Sequence, residues 1–226
     1  MPGPPSSVAE VVVLLHGIAM PALELHRVAR ALGIAGYRVA NLPYPSRAFT
    51  LERLALDYLP AQLHARGVEA APRLHFVAHS MGGIIVRLHL QEHHPANLGR
   101  VVLLAPPNAG TPVADRLSRF ALCRWLLGPN LSRLGTATPD ALLSSRAPGL
   151  VPPDYEVGII VGNASINPVF SRWLAGANDG AVSVDSARLP GAHGFLVVPH
   201  SHTGMLWRKA VVAQVLAFLR TGRFAE

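Results

Sequence analysis

The sequence predicts an α/β fold, with a mostly parallel central sheet flanked by helices. Short runs that are apolar at nearly every position recur along the chain, and segments with helical spacing of apolar residues separate them. Glycine or proline ends most of the runs. Such runs are typical of strands buried on both faces of a parallel sheet, and their alternation with helices is typical of βαβ units.

Six segments are predicted to be strands because each is a short run of mainly apolar residues. They are residues 11–15, 36–42, 74–78, 101–105, 155–162 and 195–198. Helical spacing of apolar residues predicts helices at 24–33, 51–66 and 84–90, and a closing helix that opens at Gly204. Pro60 falls inside the second of these helices and is expected to kink or divide it.

The 226 residues are expected to form a single domain, residues 1–226, because no repeat or linker divides the chain. Residues 108–153 carry no strand signal and are predicted to be a helical cap or lid inserted into that domain. Within this insertion, residues 112–128 have the spacing of an amphipathic helix.

Charge and composition argue against several classes of protein. The net charge is +7, but the basic residues are scattered and form no block with interleaved aromatic residues, so no nucleic-acid partner is expected. Attraction to an anionic lipid surface is one hypothesis, and a weak contact would use Arg116, Arg119, Arg124 and Trp125. Cys123 is the only cysteine, which excludes an internal disulfide. With no signal-peptide pattern at the N-terminus, a cytoplasmic location is predicted.

A serine lies where the third predicted strand turns sharply into a helix. Residues 78–83 read Ala-His-Ser-Met-Gly-Gly, and the glycines permit a tight turn and close packing of the helix on the strand. This is the G-x-S-x-G nucleophile elbow of serine hydrolases with Ala78 in place of the first glycine. Because the strand and the helix are both predicted around it, Ser80 is a candidate nucleophile.

A serine nucleophile needs a base and a group that orients the base, and in elbow enzymes the acid and then the histidine follow the serine along the chain. Asp179 follows the fifth predicted strand in an Asn-Asp-Gly turn and is the favoured acid, with Asp185 as its rival. His202 lies just before the closing helix and is the favoured base, with His200 as its rival. Asp154 lies at the wrong end of its strand for this chemistry.

Backbone N–H groups are expected to stabilise the oxyanion. One belongs to Met81, the residue after the serine, where the helix dipole favours negative charge. The other is expected from the turn after the first strand, and Ile18 is the favoured donor. His79 is expected to support the elbow turn or to point into the sheet. No cofactor is expected, and no catalytic metal either, because no histidines with zinc-ligand spacing have a third ligand in the right context.

These residues resemble the small bacterial lipases and esterases of the α/β-hydrolase superfamily. The resemblance rests on Leu-His-Gly-Ile at residues 15–18, on the elbow at 78–83 and on Asn-Asp-Gly-Ala-Val at 178–182. It implies an α/β-hydrolase fold, Ser80 as nucleophile, Asp179 and His202 as its partners, and Ile18 and Met81 as oxyanion donors. The sequence departs from this family in starting directly with the strand before His16 and Gly17, so the hairpin that usually opens the fold is expected to be absent.

The leading prediction is therefore a hydrolase of small-molecule or lipid carboxylic esters that works through an acyl-enzyme. The same three side chains could serve a thioesterase, an amidase or an acyltransferase, because all of these transfer acyl groups. A non-catalytic binding protein with a hydrolase fold is the alternative from another class. The sequence carries no signal for the oligomeric state.

Overall fold

A computed structural model describes residues 9–136 and 152–226 of the chain. In this part of the chain, six strands pair in parallel in the order β2-β1-β3-β4-β5-β6. All six predicted strands are present, which confirms the predicted α/β architecture. Their bounds are β1 Val11–Leu15, β2 Arg38–Leu42, β3 Leu74–His79, β4 Leu98–Leu104, β5 Val157–Gly162 and β6 Gly194–Val198.

The residues of a central strand alternate between two apolar cores, one on each face of the sheet. In β1, Val11, Val13 and Leu15 enter one core, and Val12 and Leu14 enter the other. All five are at most 1% exposed. This burial on both faces explains why the strand is apolar at every position instead of alternating with polar residues.

Helices cover both faces of the sheet. Short 3-10 turns, Ala22–Leu25 and Gly204–Trp207, lead into the first and the last of them. Among the residues that the structure describes, the helices are α1 His26–Ile34, α2 Leu51–Arg53, α3 Leu59–Ala65, α4 Met81–Glu92, α5 Pro112–Leu117, α6 Ala121–Leu127, α7 Asn130–Arg133, α8 Pro168–Ser171, α9 Val184–Ala187 and α10 Lys209–Thr221.

Two predicted helices are divided in the structure. The helix predicted at 51–66 consists of α2, a π-helical turn Leu54–Tyr58 and α3, with Pro60 in the first turn of α3. Proline has no N–H to donate, so it is tolerated in a first turn but not in the middle of an α-helix. The prediction of one continuous helix at 112–128 was wrong, because the extended backbone of Phe120, with ψ 123°, separates α5 from α6.

The predicted insertion at 108–153 is described only in part, because residues 137–151 lie outside the described residues. Helices α5, α6 and α7 belong to the described portion, and α6 buries none of its residues. The cap therefore stays a prediction, as does the single-domain organisation. Among the described residues, no helix has the length and apolar character needed to span a membrane.

The parallel sheet brings four loops to one edge. The register pairs Leu15 with Ala78, His79 with Leu104, and Gly162 with Val198, so the carboxyl ends of neighbouring strands lie side by side. Ligands bind at this edge in open α/β sheets. The loops that follow β1, β3, β5 and β6 carry the predicted site residues.

Helix α4 begins in close contact with the end of β1. A Cβ atom added to Gly82 would lie 2.6 Å from the carbonyl oxygen of Leu15 and 2.7 Å from that of His16. Both neighbours are backbone atoms and cannot rotate away, so only glycine allows the helix to start here. The elbow is thereby pressed against the turn that follows β1.

We expect Gly82→Ala to lower the free energy of unfolding by about 1–3 kcal/mol, because the added methyl group overpacks this contact. Urea unfolding followed by circular dichroism measures the loss. Gly33→Ala in α1 is the matched control, since a Cβ at Gly33 meets no atom within 4 Å. That change should raise the stability by about 0.5–1 kcal/mol through helix propensity. An unchanged free energy of unfolding in Gly82→Ala would show instead that α4 can shift away from β1.

Candidate active site

Ser80 occupies a strained turn between β3 and α4. Its φ of 52° and ψ of −122° lie in a region that side-chain-bearing residues rarely adopt. Such a conformation costs of order 1–3 kcal/mol and persists only where the surroundings enforce it. Here the Ser80 N–H donates to the Leu104 carbonyl at 2.8 Å, and Gly83 N–H donates to the Ser80 carbonyl at 2.9 Å. The turn thus holds Ser80 at the carboxyl edge of the sheet.

Asp179 and His202 form a hydrogen-bonded pair at the same edge. Nδ1 of His202 lies 2.8 Å from Oδ2 of Asp179, and the His202 N–H donates to the Asp179 carbonyl at 3.0 Å. The other carboxylate oxygen, Oδ1, accepts from the N–H groups of Ala181 and Val182 at 2.9 and 2.8 Å. Asp179 is 1% exposed, whereas the His202 side chain is 17% exposed. The carboxylate is therefore buried and satisfied, while the imidazole remains accessible.

Burial and mutual attraction act in opposite directions on this pair. Burial alone would raise the pKa of Asp179, but His202 and the two backbone donors hold that pKa below its usual value. Burial alone would lower the pKa of His202, but the Asp179 carboxylate raises it above its usual value, with a smaller contribution from Glu24. Because a carboxylate only accepts, Nδ1 carries a proton, which leaves Nε2 of a neutral ring free to accept one.

The loop that carries His202 packs against the end of β3. Nε2 of His79 donates to the His202 carbonyl at 3.1 Å, and the two ring centroids are 4.7 Å apart. Since His79 immediately precedes Ser80, the structure brings the elbow and the Asp179–His202 pair to the same place on the sheet edge.

The rival residues lie elsewhere or make other contacts. The Asp185 side chain is 86% exposed and pairs with Arg188. Asp154 is 78% exposed and lies beside His94. Among the described residues, His200 makes hydrogen bonds only through its backbone. None of the three joins the pair formed by Asp179 and His202.

The turn after β1 leaves one N–H group free near the elbow. Gly17 N–H donates to Oε2 of Glu24 at 2.9 Å, and Ala19 N–H donates to Oγ of Ser46 at 3.0 Å. In the part of the chain that the structure describes, the Ile18 N–H between them has no acceptor. A Cβ on Gly17 would lie 3.5 Å from Cβ of Ser80, so this turn borders the serine.

Met81 opens α4, and the N–H groups of a helix's first turn have no partner within the helix. The Gly82 contact presses this helix start against the end of β1. Within residues 9–136 and 152–226, neither the Ile18 N–H nor the Met81 N–H has a hydrogen-bond acceptor, and the two groups belong to the segments that meet beside Ser80. The partial positive charge of the helix N-terminus adds to their attraction for an anion.

Sequence reasoning missed Glu24 as a site residue and placed it only at the start of a predicted helix. Its side chain is 2% exposed and lies in ion-pair contact with the buried ring of His79. The sequence predicted that His79 supports the elbow turn or points into the sheet; its side chain contacts Glu24 and the loop of His202. A glutamate in the first turn of an amphipathic helix is common, so no sequence signal distinguishes Glu24 from a surface residue.

Across the described residues, no group of three or more His, Cys, Asp or Glu side chains is arranged to hold a metal ion. The site consists instead of a serine, a buried carboxylate–imidazole pair and free backbone N–H groups. Such an arrangement can activate a hydroxyl group and stabilise a developing oxyanion.

No protein-family model matches this chain, and neither does any curated protein. Solved structures do resemble it. The mature form of the Bacillus licheniformis lipase BlEst2 is 20% identical, with 97% of this chain and 94% of that chain covered and a TM-score of 0.77. The metagenomic carboxyl esterase MGS0156 is 22% identical over 89% of this chain and 68% of its own, with a TM-score of 0.61.

The esterase RhEst1 from Rhodococcus sp. ECU1013 is 16% identical over 96% of this chain and 92% of its own, with a TM-score of 0.62. These identities are low, but the likeness extends over most of each chain. The chain has the α/β-hydrolase fold, as the resemblance of its sequence motifs implied.

The pKa directions predict how Asp179→Asn changes stability with pH. The lowered pKa of Asp179 gives stability that is lost as pH falls through it, and the raised pKa of His202 gives stability that is lost as pH rises through it. The ion pair therefore contributes most between these two values. We expect Asp179→Asn to cost about 1.5–3 kcal/mol at pH 5.5 and about 0.5–1.5 kcal/mol at pH 9.

Urea unfolding at the two pH values measures both losses. Asp185→Asn is the control, because this carboxylate is exposed and should contribute within about 0.5 kcal/mol at either pH. Equal losses for Asp179→Asn at pH 5.5 and pH 9 would contradict an ion pair with His202.

Proposed function

We propose that this protein hydrolyses carboxylic esters through an acyl-enzyme on Ser80, with His202 as general base and Asp179 as the carboxylate that orients it. The observation that carries the proposal is the buried hydrogen bond between Asp179 and His202 at the sheet edge where the strained turn holds Ser80. Nucleophile, base and orienting acid are the parts that acyl transfer by serine requires.

In the first half of the reaction, Oγ of Ser80 attacks the ester carbonyl carbon while Nε2 of His202 takes the hydroxyl proton. The tetrahedral intermediate then collapses, the carbon–oxygen bond to the alcohol breaks, and His202 gives its proton to the leaving alkoxide. In the second half, Nε2 of His202 takes a proton from water while the water oxygen attacks the acyl-enzyme carbonyl carbon, and the second tetrahedral intermediate then breaks its bond to Oγ of Ser80. The acid product leaves, and Ser80 recovers its proton from His202.

Asp179 favours the charged form of His202 that exists in both halves of this cycle. The pKa of His202 is raised chiefly by the Asp179 carboxylate, against the effect of burial. The backbone N–H groups of Ile18 and Met81 are proposed to bind the oxyanion. Removing one such donor typically costs about 2.7–4 kcal/mol of transition-state stabilisation.

The names of similar structures support esters as the substrate class, since they include a lipase, a carboxyl esterase and a further esterase. Thioester, amide or acyl-acceptor substrates would use the same three side chains. A binding protein without activity would leave Ser80 unreactive. Labelling of Ser80 by a fluorophosphonate separates this last alternative from all the enzymes.

We expect Ser80→Ala and His202→Gln to reduce kcat/KM for p-nitrophenyl butyrate by at least about 10⁴-fold, and Asp179→Asn by a similar order, because the three side chains act as a unit. Spectrophotometric assay of p-nitrophenol release measures the rates. The matched controls are His200→Gln and Asp185→Asn, which should keep activity within about threefold of the wild type. Wild-type activity in Ser80→Ala would overturn the proposal.

A second candidate function is contact with a lipid surface, and helix α6 favours it. Leu122 and Trp125 are 64% and 73% exposed on one side of this helix, next to exposed Phe120 and Leu126. The opposite side carries Cys123 and Leu127, which pack against the core. Three exposed arginines lie within or just before α6 in the chain: Arg116, Arg119 and Arg124. Apolar and cationic groups together suit an anionic membrane interface.

We expect the double variant Leu122→Ser, Trp125→Ser to reduce binding to phosphatidylglycerol vesicles at low salt by at least about tenfold, since two anchoring side chains leave the interface. Vesicle co-sedimentation measures the binding. Ile166→Ser is the control, because Ile166 is 84% exposed but lies outside α6. Failure of the wild type to bind at low salt would contradict this second function.

A further inference from the structure

Glu24 and His79 form a second carboxylate–imidazole pair beneath the site. Nδ1 of His79 lies 3.1 Å from Oε2 of Glu24, within ion-pair distance although not at a hydrogen-bonding angle. Both side chains are almost fully buried, with exposures of 1% and 2%. The cycle proposed above uses neither of them.

This pair connects two segments that the proposed reaction depends on. Oε2 of Glu24 accepts from the Gly17 N–H, which precedes the free N–H of Ile18. Nε2 of His79 donates to the carbonyl of His202, because a carbonyl oxygen can only accept. The buried Glu24 carboxylate thus contacts the turn that contains Ile18 directly, and it is linked to the loop of His202 through the His79 imidazole.

We propose that Glu24 is a positioning residue that holds the Ile18 turn and the His202 loop in place through Gly17 and His79, and that its charge stabilises the protonated form of His202. This inference rests on the proposed function and adds a fourth side chain to it. Glu24 touches neither the substrate nor the reacting atoms, so it acts only through its neighbours.

The electrostatics agree with this geometry. Burial alone would raise the pKa of Glu24, but the attraction of His79, with smaller contributions from Gly17 N–H and His202, holds it below its usual value. Glu24 therefore carries a negative charge at neutral pH, and that charge contributes to the raised pKa of His202. The titratable groups facing the two histidines and Glu24 are Asp179, His16 and Tyr44.

A side chain that only fills space at position 24 would not need a charge. Burying a carboxylate is costly unless it is paired and hydrogen-bonded, and an apolar side chain would fill the same space without that cost. Coupling to the base is a role that requires the charge. The test must therefore separate the charge of Glu24 from its shape.

Glu24→Gln keeps the size of the side chain and an oxygen to accept from Gly17, but it removes the charge. We expect the NMR titration midpoint of His202 to move to lower pH by roughly half a pH unit in this variant. We also expect kcat for p-nitrophenyl butyrate to fall roughly tenfold with KM nearly unchanged, a smaller loss than the 10²–10⁴-fold typical of removing a general base. The rate of Ser80 labelling by a fluorophosphonate should fall with kcat.

Glu24→Asp keeps the charge but shortens the side chain. It should hold the His202 midpoint near the wild-type pH while the labelling rate still falls, because the shorter carboxylate no longer reaches Gly17. It also serves as the second variant if Glu24→Gln fails to fold. Glu10→Gln is the matched control: Glu10 pairs with buried His75 at 3.1 Å, at the opposite edge of the sheet. It should change neither the midpoint nor kcat.

The outcomes separate this inference from the proposed function, since the titration of His202 needs no substrate. The wild type could fail to hydrolyse esters and to react with the fluorophosphonate while Glu24→Gln still moves the His202 midpoint. That result would overturn the esterase function and leave the coupling between Glu24 and His202 standing. Glu24 variants that match an active wild type in midpoint, labelling rate and kcat would overturn the positioning role alone.

Discussion

The close approach of α4 to the end of β1 is the constraint on which the site depends. Gly82 allows the first turn of the helix to contact the carbonyl groups of Leu15 and His16. With the helix held there, the backbone between β3 and α4 must turn within Ser80, and the strain at that residue is the consequence. The same contact sets the Met81 N–H beside the turn that contains Ile18.

The parallel sheet brings the ends of β5 and β6, and with them Asp179 and His202, to the same edge as Ser80. The Asp179 carboxylate has a donor on each oxygen, so a buried negative charge is tolerated beside His202. The Asp179 carboxylate and, to a smaller extent, the Glu24 carboxylate favour the protonated form of His202 and raise its pKa. Charges and donors fixed in advance are what electrostatic stabilisation of the proposed reaction would use.

Much of the fold could be predicted, and part of the candidate site could be proposed, because the signals are local. Strands buried on both faces must be apolar throughout, and all six were recognisable for that reason. Asp179 and His202 could be selected by chain order and by their positions after strands. The division of the helix predicted at 112–128 could not be foreseen, because no proline or glycine marks the break at Phe120.

By itself, the sequence determined the order of strands and helices, the elbow at Ser80 and the short list of acids and histidines that could serve it. These depend on residue type, spacing and chain order. Only the tertiary structure decided that Asp179, and not Asp185, meets His202, and that Glu24 contacts both the turn after β1 and His79. Contacts between loops far apart in the chain depend on strand order and helix packing, which leave no local pattern in the sequence.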